Sequence, residues 1–408
     1  MKSLGYLREM NMKSRKEVTK AVATRYRNET RKGKKSILDE FCKITGYNRD
    51  YATSLLRAKA IKASGKKRNP KQSSHGTGRP PQYTDQTLHI LIKLWNLFDR
   101  LCAKRLSVFI KTALPWLRLD PFLGITPDQE HLLMTISSAT IDRMIKPIRA
   151  KLKIRGHSYT RPSGGLKESI PVRTFGEWAS CIPGHCQIDT VGHDGGILSE
   201  QCAFTLCLTD IASGWTERFA MQNRAFKWVH AGLEHIKTSL PFPLVHLHPD
   251  NGSEFINHGL ISWCATQTPA IALSRSRAGK KNDNCYVEQK NFDTIRKLVG
   301  YARYSSQEML ETLNALYDAH ELLLNYFYPS QKLIAKTRSG SKYKKIYDQP
   351  KTPAARLLEN PTVDETTKTL LRARLASLNP LALSRQVDAL SELLLSTLVH
   401  EDGSMIKP

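Results

Sequence analysis

The chain has 408 residues, 40% of them apolar, and a formal net charge of +25 with a pI near 9.7. That length and composition allow about two to four domains with at least one true hydrophobic core. They exclude a bilayer-spanning chain, because no apolar run approaches the roughly 20 residues required, and a secretory signal, because basic Met1 to Lys35 lacks a continuous apolar stretch.

The charge calls for a polyanionic partner, nucleic acid first; a chain that is merely basic is the alternative. The eight cysteines are scattered. Cys181, His185 and Cys186 have no second ligand pair at zinc-finger spacing, so buried free thiols in a reducing cytosol are expected rather than a zinc site.

Residues 1–61 read as a small helical, helix-turn-helix DNA-binding domain. A basic start from Lys13 to Lys35 leads into Ile37, Leu38, Phe41 and Ile44 at helical spacing. Gly46 ends that helix and Asn48 caps the next, which carries Tyr51, Leu55 and Leu56 inward and Arg49 and Arg57 outward. An ordinary helical hairpin has the same pattern, and the basic flanks favour DNA. Residues 62–83 form a basic linker, in which Gly78-Arg79-Pro80 suits entry of Arg79 into a narrow minor groove. Residues 84–156 are a second helical, helix-turn-helix-like domain. There Ser137 or Ser138 caps a helix that exposes Arg143 and Lys146; helical support for the next domain is the alternative. Residues 157–174 are again a linker.

Residues 175–330 alternate in another rhythm. Strands are predicted at Gly184–Thr190, Ala203–Ile211 and Trp215–Gln222, then a helix at Phe226–Leu240 and a strand at Leu244–His248. A helix at Phe255–Ala265, a strand at Ala270–Ser274, and helices at Asn284–Leu298 and Gln307–Tyr326 follow. Such an order is a mixed α/β sheet of five strands.

Three carboxylates stand out. Asp189 ends the first strand, in Gln187-Ile188-Asp189-Thr190. Asp250 ends the fourth, in His248-Pro249-Asp250-Asn251-Gly252-Ser253-Glu254-Phe255. Glu288 opens a helix after a Gly/Lys/Asn-rich loop, with 37 residues between it and Asp250. Carboxylates from two strand ends and one helix can converge on a pair of Mg²⁺ ions and serve phosphoryl transfer. Each alone reads as a turn residue or a solvated helix face; the set, on a basic chain, reads as catalytic. Asp210 is expected to be a turn residue and Glu254 the opening residue of a helix. His193 is expected to be an exposed loop histidine, and Asp283 is the substitute should Glu288 not serve. Lys280, Lys281, Asn282, Arg296 and Lys297 flank the acidic helix and are candidate DNA contacts.

These elements and motifs, Asp250 to Phe255 and Gly279 to Glu288 above all, resemble the retroviral-integrase-like, ribonuclease H-like core of DDE transposases, and the flanking arms look like those of bacterial insertion sequences. The Asp250–Glu288 spacing is close to that of the superfamily. The resemblance implies a DDE-type transposase that binds inverted repeats at element ends and catalyses metal-dependent cleavage and strand transfer. It also implies two Mg²⁺ ions, with Mn²⁺ able to substitute, on Asp189, Asp250 and Glu288. A homo-oligomer on double-stranded DNA in a bacterial cytoplasm, at the nucleoid, is implied as well. A ribonuclease H-like nuclease and a domesticated DNA-binding regulator are the alternatives.

Residues 331–408 are a basic, partly helical C-terminal region. Lys332, Lys336, Lys344 and Lys345 lie in a tract suited to tracking phosphates. Asn379-Pro380 starts a last helix with Leu383, Val387, Leu390 and Leu394 on one stripe, which packs either on a partner subunit or on its own domain.

Overall fold

A computed structural model describes residues 12–63, 82–151, 181–196, 201–277, 284–339 and 342–402. Most of the linker at 62–83, all of 157–174, and Arg79, Lys280, Lys281, Asn282 and Asp283 lie outside the described residues. The chain divides into two compact units, residues 1–81 and 82–408.

The first unit holds three helices, α1 (Met12–Asn28), α2 (Arg31–Thr45) and α3 (Arg49–Ala63). Thr30 caps α2 by accepting from Gly33 N, and Gly46, at φ 69°, closes it in the left-handed conformation that glycine adopts without penalty. Asn48 then accepts from Asp50 N at 2.9 Å to start α3. Ala23, Tyr26, Ile37, Leu38, Phe41, Ala52 and Leu56 make a separate small core. Ile44 and Tyr51 are not part of it: they are 49% and 55% exposed, and Tyr51 meets Tyr47 edge-on.

In the second unit, α4 (Asp85–Leu97), α5 (Ala103–Leu117), α6 (Pro127–Thr135) and α7 (Ser138–Arg149) precede the sheet. Thr126 and Gln129 form a reciprocal capping box on α6, and Ser137 caps α7. The sheet has β1 (His185–Gly192), β2 (Phe204–Asp210), β3 (Thr216–Met221), β4 (His246–Pro249) and β5 (Ala272–Leu273), in the order β3-β2-β1-β4-β5. The first three strands pair antiparallel, and β4 and β5 add in parallel beyond β1. Parallel addition needs crossover helices, here α8 (Phe226–Ser239) and α9 (His258–Thr266). Strand β2 is buried almost throughout, as a strand covered on both faces must be. This mixed five-stranded sheet with helices fits a ribonuclease H-like core.

Next come α10 (Cys285–Lys290), a π-type stretch at Asn291–Arg296, α11 (Lys297–Val299) and α12 (Gln307–Leu322). The basic tract after the core, to which no strand was assigned from sequence, forms an antiparallel hairpin, β6 (Leu333–Ser339) and β7 (Lys342–Tyr347). Helices α13 (Pro353–Glu359), α14 (Glu365–Ser377) and α15 (Pro380–Asp402) end the described chain.

The apolar stripe of α15 is resolved in favour of its own unit. Leu383, Val387 and Leu394 are buried, α15 packs on α12, and Ser384 Oγ donates to Leu97 O at 2.7 Å. The stripe therefore is not available as a surface between subunits, because burial against α12 and α5 already covers it. Residues of α4, α5, α6 and α7 share one hydrophobic cluster with the sheet and α15. Among the described residues, no helix is long and apolar enough to cross a membrane.

Candidate active site

Register places the first two carboxylates. Strands β1 and β4 pair in parallel with Ile188 beside Pro249, so the next residues, Asp189 and Asp250, stand on neighbouring strands. Asp250 follows the end of β4, whereas Asp189 does not end its strand as expected, because β1 stays paired with β2 as far as Gly192. Asp250 Oδ1 accepts from Gly252 N at 2.8 Å, which folds the chain sharply back after β4. One buried ring supports that turn with two hydrogen bonds: His248 engages Ser274 Oγ at 2.7 Å through Nδ1 and Ser276 Oγ at 3.2 Å through Nε2.

Helix α10 is moored to β1 by one side chain. Gln187, fully buried, accepts from Tyr286 N and Val287 N at 2.9 and 3.3 Å, satisfying amides that a helix start leaves unpaired. Asn284 Nδ2 adds a bond to Ile188 O at 3.3 Å. Val287 thereby enters the core and Glu288 faces solvent. One turn on, Asn291 Nδ2 donates to Asp189 Oδ2 at 2.7 Å.

The acids act on one another electrostatically. Burial, then Asp250, with Glu288 and Glu254 behind it, push the Asp189 carboxyl up to about 8, against one lowering bond from Thr190 N. Uncompensated carboxylate charge of this kind suits a hard divalent cation with oxygen ligands. Asp189, Asp250 and Glu288 are donors of the chemical type such a cation takes. Among the described residues, no three His, Cys, Asp or Glu side chains are grouped so as to hold a metal ion.

Glu254 does not open a helix; α9 begins at His258 behind the cap Asn257. It sits in the turn after Asp250 with its side chain 8% exposed, accepts from Thr190 Oγ1 at 2.9 Å, and pairs with Arg224 at 3.4 Å. A Cβ on Gly252 would lie 2.7 Å from the Glu254 carboxylate and 3.0 Å from Asp250 Oδ1, so glycine is what lets both acids approach. A cleft of about 470 Å³, lined by Arg224, Ser253, Glu254 and Asn257, runs alongside.

His193 is no exposed loop residue. It is fully buried, bonds Thr205 Oγ1 at 2.7 Å, and burial drives its pKa down to about 3, so it is a neutral structural group. Asp210 is the expected turn residue, accepting from Gly184 N and Ser213 N at 2.9 and 2.7 Å. Gln187, Asn284 and Asn291 were not singled out from sequence, and Glu254 was given only the opening of a helix; their amide and carboxyl groups matter through contacts that folding creates.

The candidate DNA contacts fall into different settings. Arg57, Arg143 and Lys146 are exposed. Arg49 is exposed and pairs with Asp39. Arg296 donates to Gly192 O at 2.8 Å and stacks over Tyr301, holding the end of β1, while Lys297 pairs with Asp293.

Comparison with known proteins adds the following. No family model matches the chain. Similar solved structures include the HTLV-2 integrase catalytic core domain in complex with magnesium, at 17% identity and TM-score 0.28, over 36% of this chain and 91% of that one. The catalytic core domain of BIV integrase is 19% identical at TM-score 0.28, over 42% and 91%. A chain of the simian T-cell lymphotropic virus intasome is 13% identical at TM-score 0.32, over 61% and 76%. The fold assignment rests on strand order, not on these scores. The uncharacterized protein y4rM of Sinorhizobium fredii is 38% identical over 351 residues, 86% of this chain and 96% of that protein. The chain belongs to the family of y4rM.

Proposed function

We propose that this protein is a DDE-type transposase that cuts and joins DNA at the ends of an insertion element. The observation that carries the reading is the register-fixed pair Asp189 and Asp250 beside Glu288, on a chain of charge +25. Two Mg²⁺ ions, or Mn²⁺, held by these three residues would polarise the attacked phosphate and stabilise the leaving oxygen. Thr190 and Arg224 hold Glu254 beside the centre, and Asn291 holds the Asp189 carboxyl in place.

Affinity for DNA comes from elsewhere. Arg49, Arg57, Arg143, Lys146 and the basic segments around Arg79 and Lys280-Lys281-Asn282, with Lys297, are proposed to contact phosphates of the element ends and target. Arg296 is proposed to act through β1. Joining two ends in one event calls for at least a dimer on DNA, whose contact lies outside the α15 stripe.

The test begins with the DNA that flanks the gene. Inverted repeats bounded by a short target duplication are expected, and purified protein with Mg²⁺ should nick them to leave a 3′-OH. Flanks without repeats, together with cleavage of RNA–DNA hybrids but not of duplex DNA, would replace the transposase reading with a nuclease one.

A further inference from the structure

A cavity of about 320 Å³ lies against α10, and none of Asp189, Asp250 and Glu288 lines it. Helix α10 gives Tyr286, Gln289 and Lys290 to its wall, while Glu288 takes no part in it. Other walls come from Asp99 and Leu101 between α4 and α5, Arg105 at the start of α5, the end of β2, the π-type stretch, the end of α12, and the β6–β7 hairpin with its approach.

The wall is unbalanced in charge. Arg105, Lys290, Lys297, Lys332 and Lys345 face two carboxylates, Asp99 and Asp293. Both carboxylates are already engaged, Asp293 by Lys297 and Asp99 by His320 at 2.8 Å. Lys290 forms no ion pair among the described residues. Arg105 and Lys332 donate to backbone carbonyls, of Pro329 and Ala212, which fix the side chains without neutralising them. Gathering cations around a concave space is unfavourable unless an anion or water answers them.

The wall is also aromatic. Tyr286 and Tyr347 line it, and Tyr347 is 45% exposed. Lys345 and Tyr347 are two apart on β7 and so share a face. A lone phosphate fills only a fraction of such a volume, whereas about 300 Å³ is the lower end of small-ligand pockets. Cations beside stacking surfaces suit a phosphate joined to a base.

We propose that this cavity binds one nucleotide, its phosphate among Lys290, Arg105 and Lys332 and its base against Tyr286 and Tyr347. Resting on the DNA-processing reading above, that nucleotide is an unpaired one at the end of a DNA strand, held by the same helix that carries Glu288.

Calorimetry of the full chain without divalent metal tests this, with thymidine 5′-monophosphate, inorganic phosphate and thymidine as probes. One monophosphate per chain is expected, bound roughly tenfold or more tighter than either fragment, and weakened about tenfold by Lys290→Gln and by Tyr347→Ala. Tyr347 and Lys345 lie at exposed positions, so Tyr347→Ala and Lys345→Gln read the site even if Lys290→Gln folds poorly. Monophosphate binding no tighter than phosphate, or unchanged in Tyr347→Ala and Lys345→Gln alike, overturns the proposal. A second arm compares duplex DNA carrying a short single-stranded end with blunt duplex. Preference for the tailed duplex, lost in Tyr347→Ala, assigns the nucleotide to a DNA strand. Monophosphate binding with no such preference overturns the DNA assignment and leaves a free nucleotide. Glu288→Gln should bind monophosphate as the parent does, so a failure of the cleavage reading and a failure of this one are distinguishable.

Discussion

Asp189 is a carboxylate that folding makes hard to ionise. Its ordinary value of 3.8 in an unfolded chain rises to about 8 in the folded one, through burial first and Asp250 second. A folded value above the unfolded one means that the proton stabilises the native state: the contribution is complete below about pH 4 and is lost as pH rises through 8. The metal-free chain is therefore expected to lose stability over that window. Asp189→Asn should flatten the slope and raise stability at pH 8. About 1.4 kcal/mol per pH unit, reduced by the partial exposure of the carboxyl, puts the gain on the order of 1–3 kcal/mol. Urea denaturation of both proteins from pH 4 to 8, without metal and then with Mg²⁺, checks this; Mg²⁺ should stabilise the parent and not the variant. Equal slopes would mean that Asp189 is not held against its charge. Asp250 and Glu288 stood out in the sequence because a turn after a strand and the start of a helix mark them, while Asp189, read as a strand end, lies inside β1. Glu254 was misread because an acid shortly before a helix usually serves the helix. Its real partners, Thr190 and Arg224, are distant in sequence, and local spacing carries no trace of them.

Strands and helices of the core were legible almost to their ends, because apolar runs with turn residues between them are strong signals in a buried sheet. The β6–β7 hairpin was not. Its residues, Leu-Ile-Ala-Lys-Thr-Arg-Ser and Lys-Tyr-Lys-Lys-Ile-Tyr, lack a regular apolar alternation, and Ile334, Ile346 and Tyr347 are exposed, so no period of two marks a buried face. The mooring of α10 was equally invisible, since Gln187 lies inside an apolar strand and does its work through an amide oxygen facing Tyr286 N and Val287 N. Gln187→Leu keeps the bulk and removes that acceptor. It is expected to cost about 1–3 kcal/mol by urea denaturation, the usual range for stranding a buried donor. The displaced helix should also slow DNA cleavage while leaving DNA affinity unchanged. Full cleavage activity in Gln187→Leu would show that α10 finds its place without the bond.

At the scale of the whole molecule, the two units have separate cores, and the helices α4 to α7 belong to the core of the sheet. A fragment ending near residue 155 would leave part of that shared cluster without its partners, so the fragment to test for DNA binding is 1–81. It is expected to fold cooperatively into a helical unit and to bind DNA with an affinity that falls steeply with salt, because released counterions set the slope. Circular dichroism with a salt titration of DNA binding checks this, and a fragment that is unfolded or salt-insensitive would remove the first unit from the DNA contacts. The central claim is that Asp189, Asp250 and Glu288 perform chemistry on DNA that other residues hold. Its most direct test measures end binding and strand joining side by side for the full chain and for Glu288→Gln, in Mg²⁺, on duplexes bearing the DNA that flanks the gene. Joined product from the parent, none from Glu288→Gln, and equal DNA affinity in both are expected; joining by Glu288→Gln at a rate near the parent's would contradict the account.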